Sequence, residues 1–207
     1  MTDQPDNLSL LRDYIWQRLQ TATLDFTSPW RFAALATLAG TDEASAAHPN
    51  LRTIVIRSLD RESGTLTFYT DKRSQKIQEL SDQPATSLLF WDPIAHEQLR
   101  VYGQARNVGE QMRLDHAWEA LPLGSRKDYL MQGPSGEEIA GPSLAYESEL
   151  NFRRITEQDS QPGRANFAIV DITCERWDWL SVTGAVHRRA KFDGFADAPQ
   201  SARWVMP

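Results

Sequence analysis

Between Phe32 and Val108 the chain is built from short runs rich in β-branched and aromatic residues, set too close together for a helix to separate each pair. Phe32 to Leu38 (FAALATL) reads as a mostly buried strand ending at the turn signal Gly40-Thr41-Asp42. Leu51 to Ser58 (LRTIVIRS) and Gly64 to Thr70 (GTLTFYT) flank the polar loop Asp60 to Gly64 and predict a hairpin. Ser87 to Trp91 (SLLFW) and Glu97 to Val108 (EQLRVYGQARNV) predict a second hairpin around Asp92-Pro93, with Gly103 marking a bulge or a close backbone approach. The regular βα alternation of a doubly wound sheet is missing. The expectation is a mainly β chain, an antiparallel barrel that closes its own edges and carries helices outside.

The remaining segments decorate that barrel. Leu8, Leu11, Ile15 and Leu19 recur at helical spacing from Asn7 to about Thr21, with Arg12, Gln17 and Arg18 on the other face. A short helix is expected from Ser74 to about Leu80, a longer one from Glu110 to Ala120 ended by Pro122, and another over Leu144 to Ile155. The last strands are expected at Asn166 to Val182, Ala185 to Phe192 and Ala202 to Val205, with a loop from Asp193 to Ser201. Seven tryptophans, eight phenylalanines and five tyrosines in 207 residues are enough bulk for one core, so residues 1–207 are read as a single domain.

Composition excludes several classes. A net charge of −6 disfavours broad binding to nucleic acid or to an acidic membrane. One cysteine, Cys174, allows no intrachain disulfide and is read as a small buried hydrophobe. The segment MTDQPDNLSLLRDYIW has neither a basic nor an apolar targeting stretch, and no apolar window approaches ~18 residues. A cytoplasmic protein with a small-molecule ligand is the expectation. GxGxxG, GxxxxGK[ST] and HExxH motifs are absent, and His48, His96, His116 and His187 are dispersed, so no metal site is expected.

Cations at strand ends are what stand out. Arg52 and Arg57 flank Thr53-Ile54-Val55-Ile56, and their odd spacing sets them on opposite faces unless the strand's end brings both to a rim. Tyr69 to Lys76 (YTDKRSQK) joins a strand end to a helix start, with hydroxyls, backbone N–H groups and cations together. That combination suits a phosphate dianion, and equally a solvated basic turn. Trp177-Asp178-Trp179 followed by His187-Arg188-Arg189 reads either as an aromatic–cation clamp for a planar anion or as core tryptophans beside a charged edge strand.

In their order, RTIVIR at Arg52, FYTDKRSQK at Phe68, EQLRVYGQARNV at Glu97, WDWLSVTGAVHRR at Trp177 and a closing ARWVMP resemble the pyridoxamine 5′-phosphate oxidase family of split barrels that bind flavin mononucleotide (FMN). The resemblance implies an antiparallel split β-barrel, a homodimer with FMN at the subunit interface, and an FMN-dependent oxidoreductase that takes hydride from a small substrate. It implies FMN contacts from Arg52, Thr53, Ile54, Val55, Ile56 and Arg57, from Tyr69 and Thr70, from Gln75 and Lys76, and from Gln98, Trp179 and Arg189. His187 is the acid–base candidate. The family's Ser-Arg-Lys turn is here Ser74-Gln75-Lys76, with Lys72 and Arg73 as compensating cations. Its substrate-binding Arg-Leu-His is Ala185-Val186-His187 and its Arg-Pro-Arg is Leu121-Pro122-Leu123, leaving Arg126-Lys127 as cations in a new register. The cofactor half is retained and the vitamin-phosphate half degraded. Two other readings stay open: a non-catalytic module holding FMN or haem, and a true pyridoxamine 5′-phosphate oxidase.

Overall fold

The computed structural model describes residues 5–38, 48–141, 145–146, 154–184, 186–194 and 201–207. Eight strands form it: β1 (Phe32–Leu38), β2 (Pro49–Asp60), β3 (Thr65–Asp71), β4 (Ala85–Asp92), β5 (Glu97–Asn107), β6 (Phe167–Ser181), β7 (Arg188–Asp193) and β8 (Ser201–Val205). They lie in the order β3-β2-β1-β4-β5-β6-β7-β8, and β3 also pairs with β6, closing six strands into an antiparallel barrel. The split-barrel expectation is met. The helices are α1 (Leu8–Leu24), α2 (Gln75–Asp82), α3 (Gln111–Ala120), α4 (Leu123–Arg126) and α5 (Glu157–Ser160).

The chain divides into two compact units. The first comprises residues up to Phe68, Glu79–Arg106 and Asp171 onward. Its core follows from strand alternation: Leu35, Ile54, Ile56, Phe68, Leu88, Phe90, Leu99 and Val101 are all buried, while their strand neighbours are less so. α1 adds Leu11, Ile15, Trp16 and Leu19, with Trp16 edge-on to Trp177 at 5.3 Å. Asn7 caps α1 by accepting from the Ser9 and Leu10 N–H groups, and the helix runs beyond Thr21 to Leu24. Thr23 tolerates that extension by donating its hydroxyl to the Gln20 carbonyl. Arg18, stacked 4.3 Å over the Trp30 ring, bonds both buried carboxylates of the β4–β5 hairpin, Asp92 and Glu97. Gly103 makes the close approach expected of it, since a Cβ there would collide with the Thr173 carbonyl.

The second unit holds Tyr69–Gln78 and Asn107–Val170. Its core gathers Val108, Ala117, Trp118, Leu121, Tyr129, Phe167 and Ile169, with the Trp118, Tyr129 and Phe167 rings edge-to-face at 5.2 to 5.6 Å. Of the helix expected over Leu144 to Ile155, residues 144 and 147–153 lie outside the described residues. Arg154 to Thr156 are not helical, and Thr156 instead caps α5 in a reciprocal box with Asp159. Gly40-Thr41-Asp42, Ala185 and most of the loop from Asp193 to Ser201 also lie outside the described residues.

Candidate functional site

In the second unit, the end of β3 and the start of α2 form a polar cradle. Asp71 ends the strand: its carboxylate accepts from the Arg73 N–H at 2.8 Å and its carbonyl from the Ser74 N–H at 3.0 Å. The Lys72 N–H donates to the Asn166 carbonyl at 2.7 Å. Lys76 then reaches back from the first turn of α2, its ammonium donating to Thr70 Oγ1 at 3.0 Å. The Ser74 hydroxyl lies 3.3 Å from that of Thr70, and both residues are buried. An ammonium, the Thr70 hydroxyl and a helix start converge here, donors suited to the oxygens of a phosphate ester, while the Ser74 hydroxyl donates to the Asp71 carbonyl at 2.7 Å. Tyr69, whose ring meets Phe167 edge-on at 5.1 Å, closes the apolar side, and Gln75 is exposed at the head of α2. Arg73 does not extend the cradle. Its guanidinium is engaged by Asp71, with a further bond to the Met131 carbonyl at 3.0 Å, so it braces the turn.

In the first unit, β2 splits its residues between two faces. Ile54 and Ile56 point into the barrel core, whereas Thr53 and Val55 lie on the outer face opposite Ala34 and Phe32. The β2–β3 register shifts between Ile56 and Ser58, so Arg57 sits in a bulge. The simple odd-spacing argument that opposed Arg52 to Arg57 therefore fails at Arg57, because alternation is interrupted there. Arg52 donates to Thr37 Oγ1 and, at 3.0 Å, to Glu79 Oε2. Glu79 also accepts from Thr37 and Asn50. Burial pushes its pKa up, but these bonds and the Arg52 charge outweigh burial and hold it below the ordinary value.

Gln98, Trp179 and Arg189 lie on β5, β6 and β7 of the same unit. Arg189 grips Asp178 through two bonds of 2.9 and 2.8 Å, and Arg100 reaches the same carboxylate at 2.6 Å. Asp178 is buried, which raises its pKa, yet the two guanidiniums lower it on balance. Gln98 pairs across the hairpin with the half-exposed Trp91. Trp177 and Trp179 are enclosed in the core. Of the two readings for this segment, the core tryptophans are as described, but the charged strand is no edge: β7 pairs with β6 on one side and β8 on the other.

The residues at the proposed substrate positions behave differently. Leu121 belongs to the aromatic core of the second unit. Arg126 supplies no cation in a new register, because its buried guanidinium donates to the Leu121 and Glu119 carbonyls and pairs with Glu157. His187 is exposed. Cys174 is buried, and burial pushes its thiol pKa up, as befits a packed side chain. Sequence reasoning missed Glu79, Asp178 and Arg100. An acid flanked by two core tryptophans was the available signal for Asp178, and it went unread.

The closed antiparallel six-strand barrel defines a split-barrel fold. Residues 13–109 match the sequence profile described as the pyridoxamine 5′-phosphate oxidase FMN-binding domain. A pyridoxine/pyridoxamine 5′-phosphate oxidase of Pseudomonas savastanoi pv. phaseolicola is 33% identical over 90 residues, which cover 44% of this chain and 40% of that protein. The chain thus matches about two fifths of the length of that relative. A second oxidase of that description, from Arabidopsis thaliana, is 27% identical over 76% of this chain and 78% of its own. Among solved structures, a pyridoxamine 5′-phosphate oxidase-related, FMN-binding protein of Nostoc punctiforme superposes with TM-score 0.72 at 22% identity, over 95% of this chain and 97% of that one. PhzG of Burkholderia lata, solved with tetrahydrophenazine-1-carboxylic acid, gives 0.66 at 18% identity, over 99% and 95% of the two chains. The chain is therefore similar, over residues 13–109, to the FMN-binding domain of pyridoxamine 5′-phosphate oxidases, and shares the fold of the split barrels related to them.

Proposed function

We propose that the chain is an FMN-dependent oxidoreductase that works as a homodimer on a small substrate other than pyridoxamine 5′-phosphate. The observation that carries the cofactor is the cradle from Thr70 to Lys76, whose Thr70 hydroxyl and Lys76 ammonium match a phosphate ester. Bound flavin supplies the hydride-accepting ring; the protein supplies binding, orientation and electrostatics. In this reading Lys76 is a phosphate contact with Tyr69, Thr70 and Gln75 beside it, and Arg52 is a cofactor contact carried by β2. Arg57 places a cation at the bulge of β2, and Gln98 and Arg189 reach the flavin of the partner copy. Trp179 acts from within the core as the support under β7.

The homodimer is supported by the outer face of the barrel, where Phe32, Leu51, Leu89 and Trp91 are 50%, 70%, 39% and 44% exposed. Cross-strand register sets Phe32 opposite Val55, Leu51 opposite Ala36 and Leu89 opposite Ala34, so these side chains share one apolar surface. The substrate restriction is supported by Leu121 and Arg126: one is core and the other is spent on backbone carbonyls and Glu157. Each lost charged phosphate contact costs ~1.5–3 kcal/mol of recognition.

Purified protein is expected to be yellow or to take up added FMN, and Lys76→Ala with Arg189→Ala to lose that colour. A protein that binds no FMN sinks the reading. Anaerobic reduction of the bound flavin by a donor panel, followed by reoxidation in air, separates an enzyme from a holding module. Robust formation of pyridoxal phosphate would overturn the substrate restriction.

A further inference from the structure

We infer that Glu79 is a positioning residue for the cofactor phosphate, acting through Arg52; this rests on the reading that Arg52 binds FMN. Glu79 is 3% exposed, so its carboxylate is held inside the protein with no solvent to satisfy it. Three donors converge on it: the Thr37 hydroxyl, the Asn50 amide and Arg52 Nη2. Thr37 in turn accepts from Arg52 Nη1. The hydroxyl thus donates to the acid and receives from the guanidinium, and the two terminal nitrogens of Arg52 are pinned by one hydroxyl and one carboxylate.

That arrangement leaves a defined remainder. A guanidinium has five N–H donors in a rigid fork, and two are used inward. Nε–H and the second hydrogen on each Nη remain, on a side chain that is 23% exposed. They form a planar donor set suited to phosphate oxygens. Without the pins, a flexible arginine must be ordered by the ligand itself, and that ordering entropy is subtracted from affinity.

Glu79→Gln keeps the shape but changes the chemistry. A carboxylate accepts from all three donors, whereas an amide offers one acceptor oxygen and turns its own NH2 toward Asn50 or Arg52. The guanidinium then loses its orientation. The test measures FMN and riboflavin affinity by flavin fluorescence quenching in the full-length protein, because riboflavin lacks the phosphate. Glu79→Gln is expected to raise the Kd for FMN about tenfold, or ~1.4 kcal/mol, and to leave riboflavin unchanged. Thr37→Val, which removes the other pin, is expected to act in the same direction with a smaller factor. In an Arg52→Gln background, Glu79→Gln should have no further effect on FMN. An unchanged or tighter FMN Kd overturns the inference, as does a parallel loss of riboflavin. Wild-type protein that binds neither flavin overturns the cofactor reading itself, a result distinct from wild-type binding that Glu79→Gln leaves untouched.

Discussion

Asp178 shows how much a single carboxylate organises. It is buried on β6 yet accepts from Arg189 on β7 and Arg100 on β5, so one side chain ties three neighbouring strands. Both guanidiniums keep partial exposure, 36% for Arg100 and 23% for Arg189, which moderates the cost of losing their partner. Asp178→Asn is expected to destabilise the protein by about 2 kcal/mol in urea unfolding at neutral pH. The folded-state pKa lies below the unfolded value. The contribution is therefore complete above ~pH 4 and is lost as pH falls through the lower folded value. Wild type should thus lose more stability between pH 7 and pH 3 than Asp178→Asn does. Gly103→Ala, which drives a methyl into the Thr173 carbonyl, is expected to cost ~1–3 kcal/mol by the same measurement. At this scale the sequence revealed its cations and hid their partners. Arg52 and Arg189 stand out as charges beside apolar strands, but nothing near Arg52 announces Glu79, and only the tryptophans flanking Asp178 hint at the partner of Arg189. Arg126 misled for the same reason: a cation in a loop reads as available, and only packing shows it turned inward onto carbonyls.

Elements were more legible than residues, because periodicity is local and partner choice is not. β1 spans Phe32–Leu38 as expected, and the two hairpins fall where their turn residues put them. Two element-level properties depended on how a strand pairs with its neighbour. The bulge at Arg57 exists because β3 pairs across it, and β7 is interior because β8 covers it. The docking of α1 is likewise tertiary. Arg18 pairs with both Asp92 and Glu97, which are 5% and 0% exposed, and Tyr14 adds bonds of 2.9 and 3.1 Å to Glu97. Arg18→Met is expected to cost about 3–5 kcal/mol, since it strands buried charge while preserving most of the packing on Trp30. Chemical denaturation followed by tryptophan fluorescence measures this. A cost below 1 kcal/mol would show that water or a rearranged partner replaces the arginine.

For the whole molecule, the net charge of −6 gives no hint of the cationic cradle or of the apolar outer barrel face. Averages conceal both features: the cradle is one local turn from Thr70 to Lys76, and the apolar face is collected by folding from separate strands. If that face pairs two copies, Leu89→Arg, opposite Ala34 at its centre, should shift sedimentation from dimer to monomer. FMN retention should weaken in step, because Gln98 and Arg189 are then withdrawn from the partner's cofactor. A variant that stays dimeric would move the interface elsewhere.

Closure of the barrel carries a consequence for how the chain is made. Thr67 on β3 bonds to Asp171 on β6, a partner 104 residues later, at 2.8 Å. During synthesis, the β2–β3 hairpin emerges long before the strand that seals it, and its open edge must wait for most of the chain to leave the ribosome. Contacts of such separation are slow to form. Until closure, the β3 edge presents unpaired backbone groups to which another chain can add a strand.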